Sequence, residues 1–363
     1  MQVPTSNAES RPVFSHQERV FTVGEIINAA FFRGEGQSLW AEATWAAESV
    51  AAADEQELEV DGEQLQALSE DFRYRRELIT SEETEQWLAS RDLTMDDWEN
   101  HLVRKYWRQR AGDAGRPDSL ALLVPDEEGR ELLRHELILS GTFQPLALRL
   151  SQRVTALAAT PPGTSMGGEP MERERERFLH RAGLTVDTLA DWLNRLEVDA
   201  IWWESMLRME TAYRLRCEAL LTPAARIQML SRLRLQMIRM VVETIELESS
   251  GAAREATLCL REDHIPMAEL AEQARYPYRR SEWLMTELPA ELQQSFLGAA
   301  VGAVVGPFDR HGGFELHQLV SKSEPSLDDP RVQERVDRQI LESCFADLDS
   351  KMVRWLLREE SMG

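Results

Sequence analysis

Cysteine is scarce. The 363 residues contain three, Cys217, Cys259 and Cys344, which are odd in number, far apart and never spaced as CxxC. That pattern indicates neither a disulfide framework nor a zinc knuckle and points to reduced thiols. Long apolar runs are missing too: no stretch approaches the roughly 18 apolar residues that a membrane-spanning helix needs. The first residues, MQVPTSNAESRPVFSHQE, lack the cationic start and apolar segment of a secretory signal. A soluble, cytoplasmic protein without membrane insertion is the expectation. Positive charge is in deficit, with 41 Lys and Arg against 63 Asp and Glu and a formal charge of −22. A surface built to grip nucleic acid or anionic lipid needs the opposite balance. Nucleotide motifs are lacking as well, since Gly34-Glu35-Gly36 is not followed by the third glycine of GxGxxG and no Walker A sequence occurs. His135-Glu136 opens like a zincin helix, but no second histidine follows four positions on. No metal and no cofactor are expected.

Hydrophobic residues make up 43% of the chain, enough to bury a large core, so the acidity does not signal disorder. The length suggests two or three modules. Residues 1–19, with Pro4 and Pro12, look like a loose tail. Residues 20–159 carry helical patterning, with Leu39, Trp40, Ala43, Ala46, Ala47 and Val50 at three- and four-residue spacing. Ser81-Glu82-Glu83-Thr84 and Thr94-Met95-Asp96-Asp97 carry helix-start chemistry. A Gly/Pro linker over 160–170 then marks a boundary. Its Gly163-Thr164-Ser165-Met166-Gly167 matches the GxSxG elbow of serine hydrolases in letters alone, because Pro161-Pro162 and Gly168 deny it the flanking strand and helix. A short repeat straddles the linker: WLASRDLTMDDW over 87–98 and FLHRAGLTVDTL over 178–189 correspond at one constant offset. Either two related helical hairpins or two independently capped helix starts would produce it.

Residues 171–232 form a second helical module. From Leu233 the pattern changes: Leu233–Leu247 is rich in β-branched residues and Met, fitting a strand, although Ala224–Leu247 also fits one continuous amphipathic helix. Helices over 252–261 and 266–274 follow, then an irregular stretch at 276–280 and a Pro-started helix from Leu288. Val304–Phe308 and Gly313–Val320 alternate like two paired strands around a turn that includes His311. A helix closes the chain over 324–363. The ten tryptophans suit helix packing, yet Trp202 and Trp203 are consecutive and must point in different directions, which places one at a groove or interface. Met206, Met209, Met229, Met237 and Met240 fit either a pliable groove or a filled core. Arg226, Arg232, Arg234 and Arg239 form either a positive strip for an acidic peptide or ordinary pairs with neighbouring acids.

The order strand, helix, helix, Leu288-Pro289-Ala290-Glu291-Leu292…Phe296, Val305-Gly306-Pro307-Phe308, turn, Gly313-Phe314-Glu315-Leu316 resembles a parvulin-type prolyl isomerase domain. EETEQWLASRDLTMDDWENHL is similar to the helical chaperone segments of SurA-like and PpiC-related proteins, including those of bacterial peptide maturation cassettes. The resemblance covers about residues 20–357. It implies an α+β, mostly α fold: SurA-like helical modules, a degenerate parvulin-like domain over 233–323 and a C-terminal helix. Parvulins carry two histidines at the sheet centre. The alignment puts Arg239 and Glu315 there, side by side, where an ion pair would give little isomerase chemistry. The resemblance therefore implies a non-catalytic protein. It would bind a ribosomally made precursor peptide, a RiPP precursor, and present it to modifying enzymes, with a homodimer left open. Binding would use Arg239, Trp283, Leu288, Leu292, Phe296 and Glu315, together with Trp202 and Trp203. The competing expectation is an active prolyl isomerase in which His317 or Cys259 reaches the pocket; His317 shares the strand face of Glu315.

Overall fold

The computed structural model describes residues 8–112, 124–161, 163–164, 166–310 and 312–357. In chain order, the strands β1 (Pro12–His16) and β2 (Arg19–Thr22) precede α1 (Val23–Phe32), α2 (Glu35–Glu55), α3 (Gly62–Tyr74), α4 (Ser81–Ala89) and α5 (Met95–Ala111). Next come α6 (Glu127–Ser140), α7 (Phe143–Ala158), α8 (Glu169–Ala182), α9 (Val186–Arg195), α10 (Ala200–Leu220) and α11 (Pro223–Leu233). The remainder is β3 (Arg239–Leu247), α12 (Ser250–Arg261), α13 (Met267–Ala274), β4 (Tyr278–Leu284), α14 (Ala290–Gly298), β5 (Val304–Arg310), β6 (Gly313–Ser323), α15 (Pro330–Met352) and β7 (Arg354–Trp355). The protein is α+β and mostly α. Among the described residues, no helix is long and apolar enough to cross a membrane.

Two compact units divide the chain, Met1–Cys217 with Phe345–Gly363, and Glu218–Cys344. The Gly/Pro segment falls inside the first unit, between α7 and α8; Pro162 and Ser165 lie outside the described residues. Residues 8–19 do not form a loose tail. Phe14 pairs with Phe21 on β2 and with Trp355 on β7, in an antiparallel sheet of order β2-β1-β7. The Phe14 and Phe21 rings stack at 4.6 Å. The closing helix likewise ends at Met352 and hands over to β7.

The core of this unit forms around α1. Thr22 and Glu25 cap its start reciprocally, and Ile26, Ile27, Phe31 and Phe32 are buried on every side of it. A short helix that is apolar all round has to lie inside, and each such side chain contributes roughly 1.5–3 kcal/mol on burial. The two halves of the repeat share a local structure that either origin produces. The turns after α4 and α8 each contain a residue with positive φ, Asp92 or Gly183, followed by a buried leucine, Leu93 or Leu184. A threonine, Thr94 or Thr185, then caps the next helix.

The second unit holds a four-stranded antiparallel sheet of order β4-β3-β6-β5. The strand reading of the Met-rich segment holds from Arg239, whereas residues 223–233 are helical, so neither a strand from Leu233 nor one continuous helix describes it. Tyr278–Arg280 is strand, not irregular, because it forms the edge ladder against Glu243–Ile245. Successive side chains of β3 point to opposite faces. Ile245 and Leu247 pack beneath α12 and α13 with Leu316. Met240 and Val242 pack with Leu319 beneath the turn Met285–Glu287 and α14.

Candidate functional site

The register of β3 on β6 decides what meets at the sheet centre. Arg239 opposes Ser323, and Glu315 opposes Glu246, with a register shift between Val241 and Val242. Arg239 and the partner position of Glu315 are therefore at opposite ends of β3, ~23 Å apart at the rise of an extended strand. The expected Arg239–Glu315 ion pair does not form. Arg239 instead reaches Glu282 at 2.7 Å and Asp329 at 3.8 Å. Glu315 receives Arg279 at 2.6 Å, and Arg279 also contacts Glu246 at 2.7 Å.

The residues that do face each other at the centre are Thr244 and His317. The Thr244 hydroxyl lies 2.9 Å from His317 Nδ1. Around the imidazole stand Phe296 at 5.6 Å, Phe308 at 5.7 Å and Trp283 at 6.3 Å between ring centres. His317 is 0% exposed, and its Nε2 has no hydrogen-bond partner among the described residues. The Glu315 carboxylate stays 3.7 Å from that nitrogen. Burial pushes the imidazole pKa down to about 4; Glu315 opposes this, and Arg279 and Arg310 reinforce it. Burial thus favours the neutral imidazole at ordinary pH. It can still exchange one hydrogen bond with a neighbour.

The other expected binding residues divide. Leu288, Leu292 and Phe296 are buried with Met240, Val242 and Leu319, so they close the sheet face beneath α14 and do not line an open groove. Trp283 and Phe308 are half-buried against the same cluster and form the accessible aromatic margin of the site. Trp202 and Trp203 belong to the core of the first unit, where Trp202 meets Phe32 edge-on and Trp203 meets Phe178. Cys259 packs on the opposite side of the sheet, with Ile245 and Leu316, away from His317. Arg226, Arg234 and Arg239 are held by Asp337, Glu324 and Glu282, the ordinary ion-pair outcome. Four of the five clustered methionines, Met206, Met209, Met237 and Met240, are buried core residues. His135 lies 3.2 Å from Asp97, and burial lowers its pKa. His311 lies outside the described residues.

Sequence reasoning missed Thr244, Phe308 as a wall of the site, and Arg279. The available signal was parity: Met240, Val242 and Thr244 share one face of β3, and His317 and Leu319 share one face of β6.

No family profile matches the sequence, and no curated protein matches it. Among solved structures the chain is similar to foldase protein PrsA from Streptococcus pneumoniae, at 12% identity and a TM-score of 0.24, over 61% of this chain and 86% of that one. It is also similar to a structure described with PEB4 and Cj1289, two SurA-like chaperones of Campylobacter jejuni. There the identity is 8% and the TM-score 0.20, over 60% of this chain and 89% of the other. At scores this low, the description of the fold rests on the chain's own elements.

Proposed function

We propose that this chain is a peptide-binding protein of the chaperone type that holds its client without isomerising prolyl bonds. The observation that carries the reading is the Thr244–His317 pair: one neutral imidazole, enclosed by three aromatic rings, at the centre of a four-stranded sheet. At its margin the half-buried Trp283 and Phe308 offer an apolar, aromatic seat beside a charged rim of Arg279, Glu246 and Glu315. Apolar seats with a few fixed polar groups favour binding and orientation. Among the described residues the imidazole hydrogen-bonds with Thr244 alone, and the Glu315 carboxylate stands 3.7 Å from Nε2. The element order of the parvulin resemblance supports the same reading. On that resemblance, the client is a ribosomally made precursor peptide presented to modifying enzymes in the cytoplasm.

Titration calorimetry with a capped hexapeptide bearing proline between two phenylalanines tests the seat. Binding is expected to weaken about tenfold in Phe308→Ala, as for a buried aromatic anchor. Binding that Phe308→Ala leaves unchanged contradicts the assignment. The competing reading, an active isomerase, draws on His317 Nε2, which has no hydrogen-bond partner among the described residues.

A further inference from the structure

In the second unit, β4 is an edge strand, because the order β4-β3-β6-β5 places no further strand beside it among the described residues. Tyr278, Arg279, Arg280 and Glu282 along it are exposed. Which of its backbone groups face outward follows from its two ends. The Glu246 N–H donates to the Pro277 carbonyl at 3.1 Å, and the Met285 N–H donates to the Ile238 carbonyl at 2.8 Å. The ladder between them runs without a register shift. Odd-numbered residues therefore turn their backbone groups towards β3, and even-numbered ones turn them away. Leu284 fits this parity, since its N–H donates to the Glu287 carboxylate at 2.8 Å. Tyr278, Arg280 and Glu282 are left to offer N–H and C=O groups along the edge.

The side chains restrict what can pair there. Charge on an edge strand ordinarily keeps other strands away, but here it changes sign along the edge, from Arg280 to Glu282. A second copy can lie antiparallel to the first, related to it by a two-fold axis through Ser281. All seven residues of β4 then overlap, and outward-facing backbone groups meet their own kind of partner. Arg280 of each copy stands opposite Glu282 of the other, and the small Ser281 side chains meet at the axis. Moving the axis to Arg280 or to Glu282 shortens the overlap and sets a like charge directly against its own copy, which destabilises a cross-strand pair. Arg280 has room for a second acceptor, because its side chain is 56% exposed and Glu243 lies 3.4 Å away. Glu282 accepts from Arg239 through one oxygen and from Arg331 through the other, and each oxygen keeps a further lone pair. On the face that carries Trp283, the same register brings the partner's Arg279 opposite that indole, where a guanidinium–ring contact is favourable.

We infer that β4 is a self-association edge: two copies of the chain pair through Tyr278–Leu284 about a two-fold axis at Ser281 and join their four-stranded sheets into one. The pairing does not rest on the role proposed for the Trp283–Phe308 seat.

Sedimentation velocity on the full chain from about 2 to about 200 μM tests this, and a dimer with a dissociation constant on the order of micromolar is expected. Arg280→Pro removes an outward-facing donor and leaves the bonds to β3 in place, a position where a strand tolerates proline. It should leave the chain monomeric. Arg280→Glu and Glu282→Arg should each weaken the dimer about tenfold or more. Mixed together, these two variants oppose unlike charges again and should dimerise as the parent does. Circular dichroism and thermal unfolding identify the variants that keep the parent fold, and the parent's own concentration series needs no variant. A parent that stays monomeric over the whole range overturns the inference. So does a dimer that survives in folded Arg280→Pro, or a mixture of the two folded charge variants that stays monomeric.

Discussion

Thr244 and His317 occupy opposed positions on β3 and β6, with the hydroxyl of one 2.9 Å from Nδ1 of the other. Both side chains are fully buried, so this contact joins the two central strands where water cannot substitute for it. Replacing Thr244 by Val keeps the shape and leaves Nδ1 without its partner. The expected cost is ~1–3 kcal/mol, the penalty of a buried polar atom left unmatched. Thr244→Ser should recover most of it. Urea unfolding of the two variants checks this.

The buried imidazole also makes stability depend on acid. His317 has a folded pKa of about 4 against an ordinary value of 6.5, so between these values the unfolded chain binds the proton and the folded one does not. Stability is complete above pH 6.5 and is lost as the pH falls towards 4, by about 3 kcal/mol from this group alone. Unfolding midpoints measured from pH 7 to pH 4 should fall more steeply for the parent than for His317→Phe. Parallel slopes would remove His317 as the cause.

Asp349 carries the opposite sign. Burial raises its pKa, against the hydrogen bonds donated by Ser151 at 2.6 Å and Thr155 at 3.0 Å. A carboxyl raised in the folded state stabilises at low pH, and that contribution is lost as pH rises through its folded pKa. Asp349→Asn keeps the shape without the charge, so thermal unfolding at pH 7 should occur at the same or a higher temperature than in the parent. A clear drop would mean that the ionised carboxylate is what the two hydroxyls hold.

Gly306 marks where β5 must approach β6 closely. Its φ is +111°, and a Cβ there would sit 3.0 Å from the Glu315 carbonyl oxygen. Gly306→Ala should cost ~1–3 kcal/mol through backbone strain, read as an earlier midpoint in urea.

What the sequence disclosed follows from physics that is local. The helix starts at Ser81 and Thr94 were legible because capping chemistry involves residues three apart, although the cap of the first is Thr80, one residue earlier. β5 and β6 were legible from alternation around their turn. β1 and β7 were not, because Phe14 and Trp355 find each other across more than 300 residues of chain, and no local pattern encodes that pairing. The candidate site failed on register. Arg239 and Glu315 followed from aligning residues, whereas the ladder brings Thr244 to His317, and shifting a register by one residue reverses every side chain. Leu288, Leu292 and Phe296 were correctly grouped, but their apolar character could not show that α14 folds them shut.

The central claim is binding without turnover, and the most direct measurement is the cis–trans exchange rate of a Phe-Pro peptide by NMR exchange spectroscopy, with the protein added at increasing concentration. The account predicts peptide line broadening and shifts that saturate, while the exchange rate stays at its uncatalysed value of tens to hundreds of seconds per event. An exchange rate that rises with protein concentration and returns to the uncatalysed value in His317→Ala would contradict it and make the enclosed histidine a catalytic group.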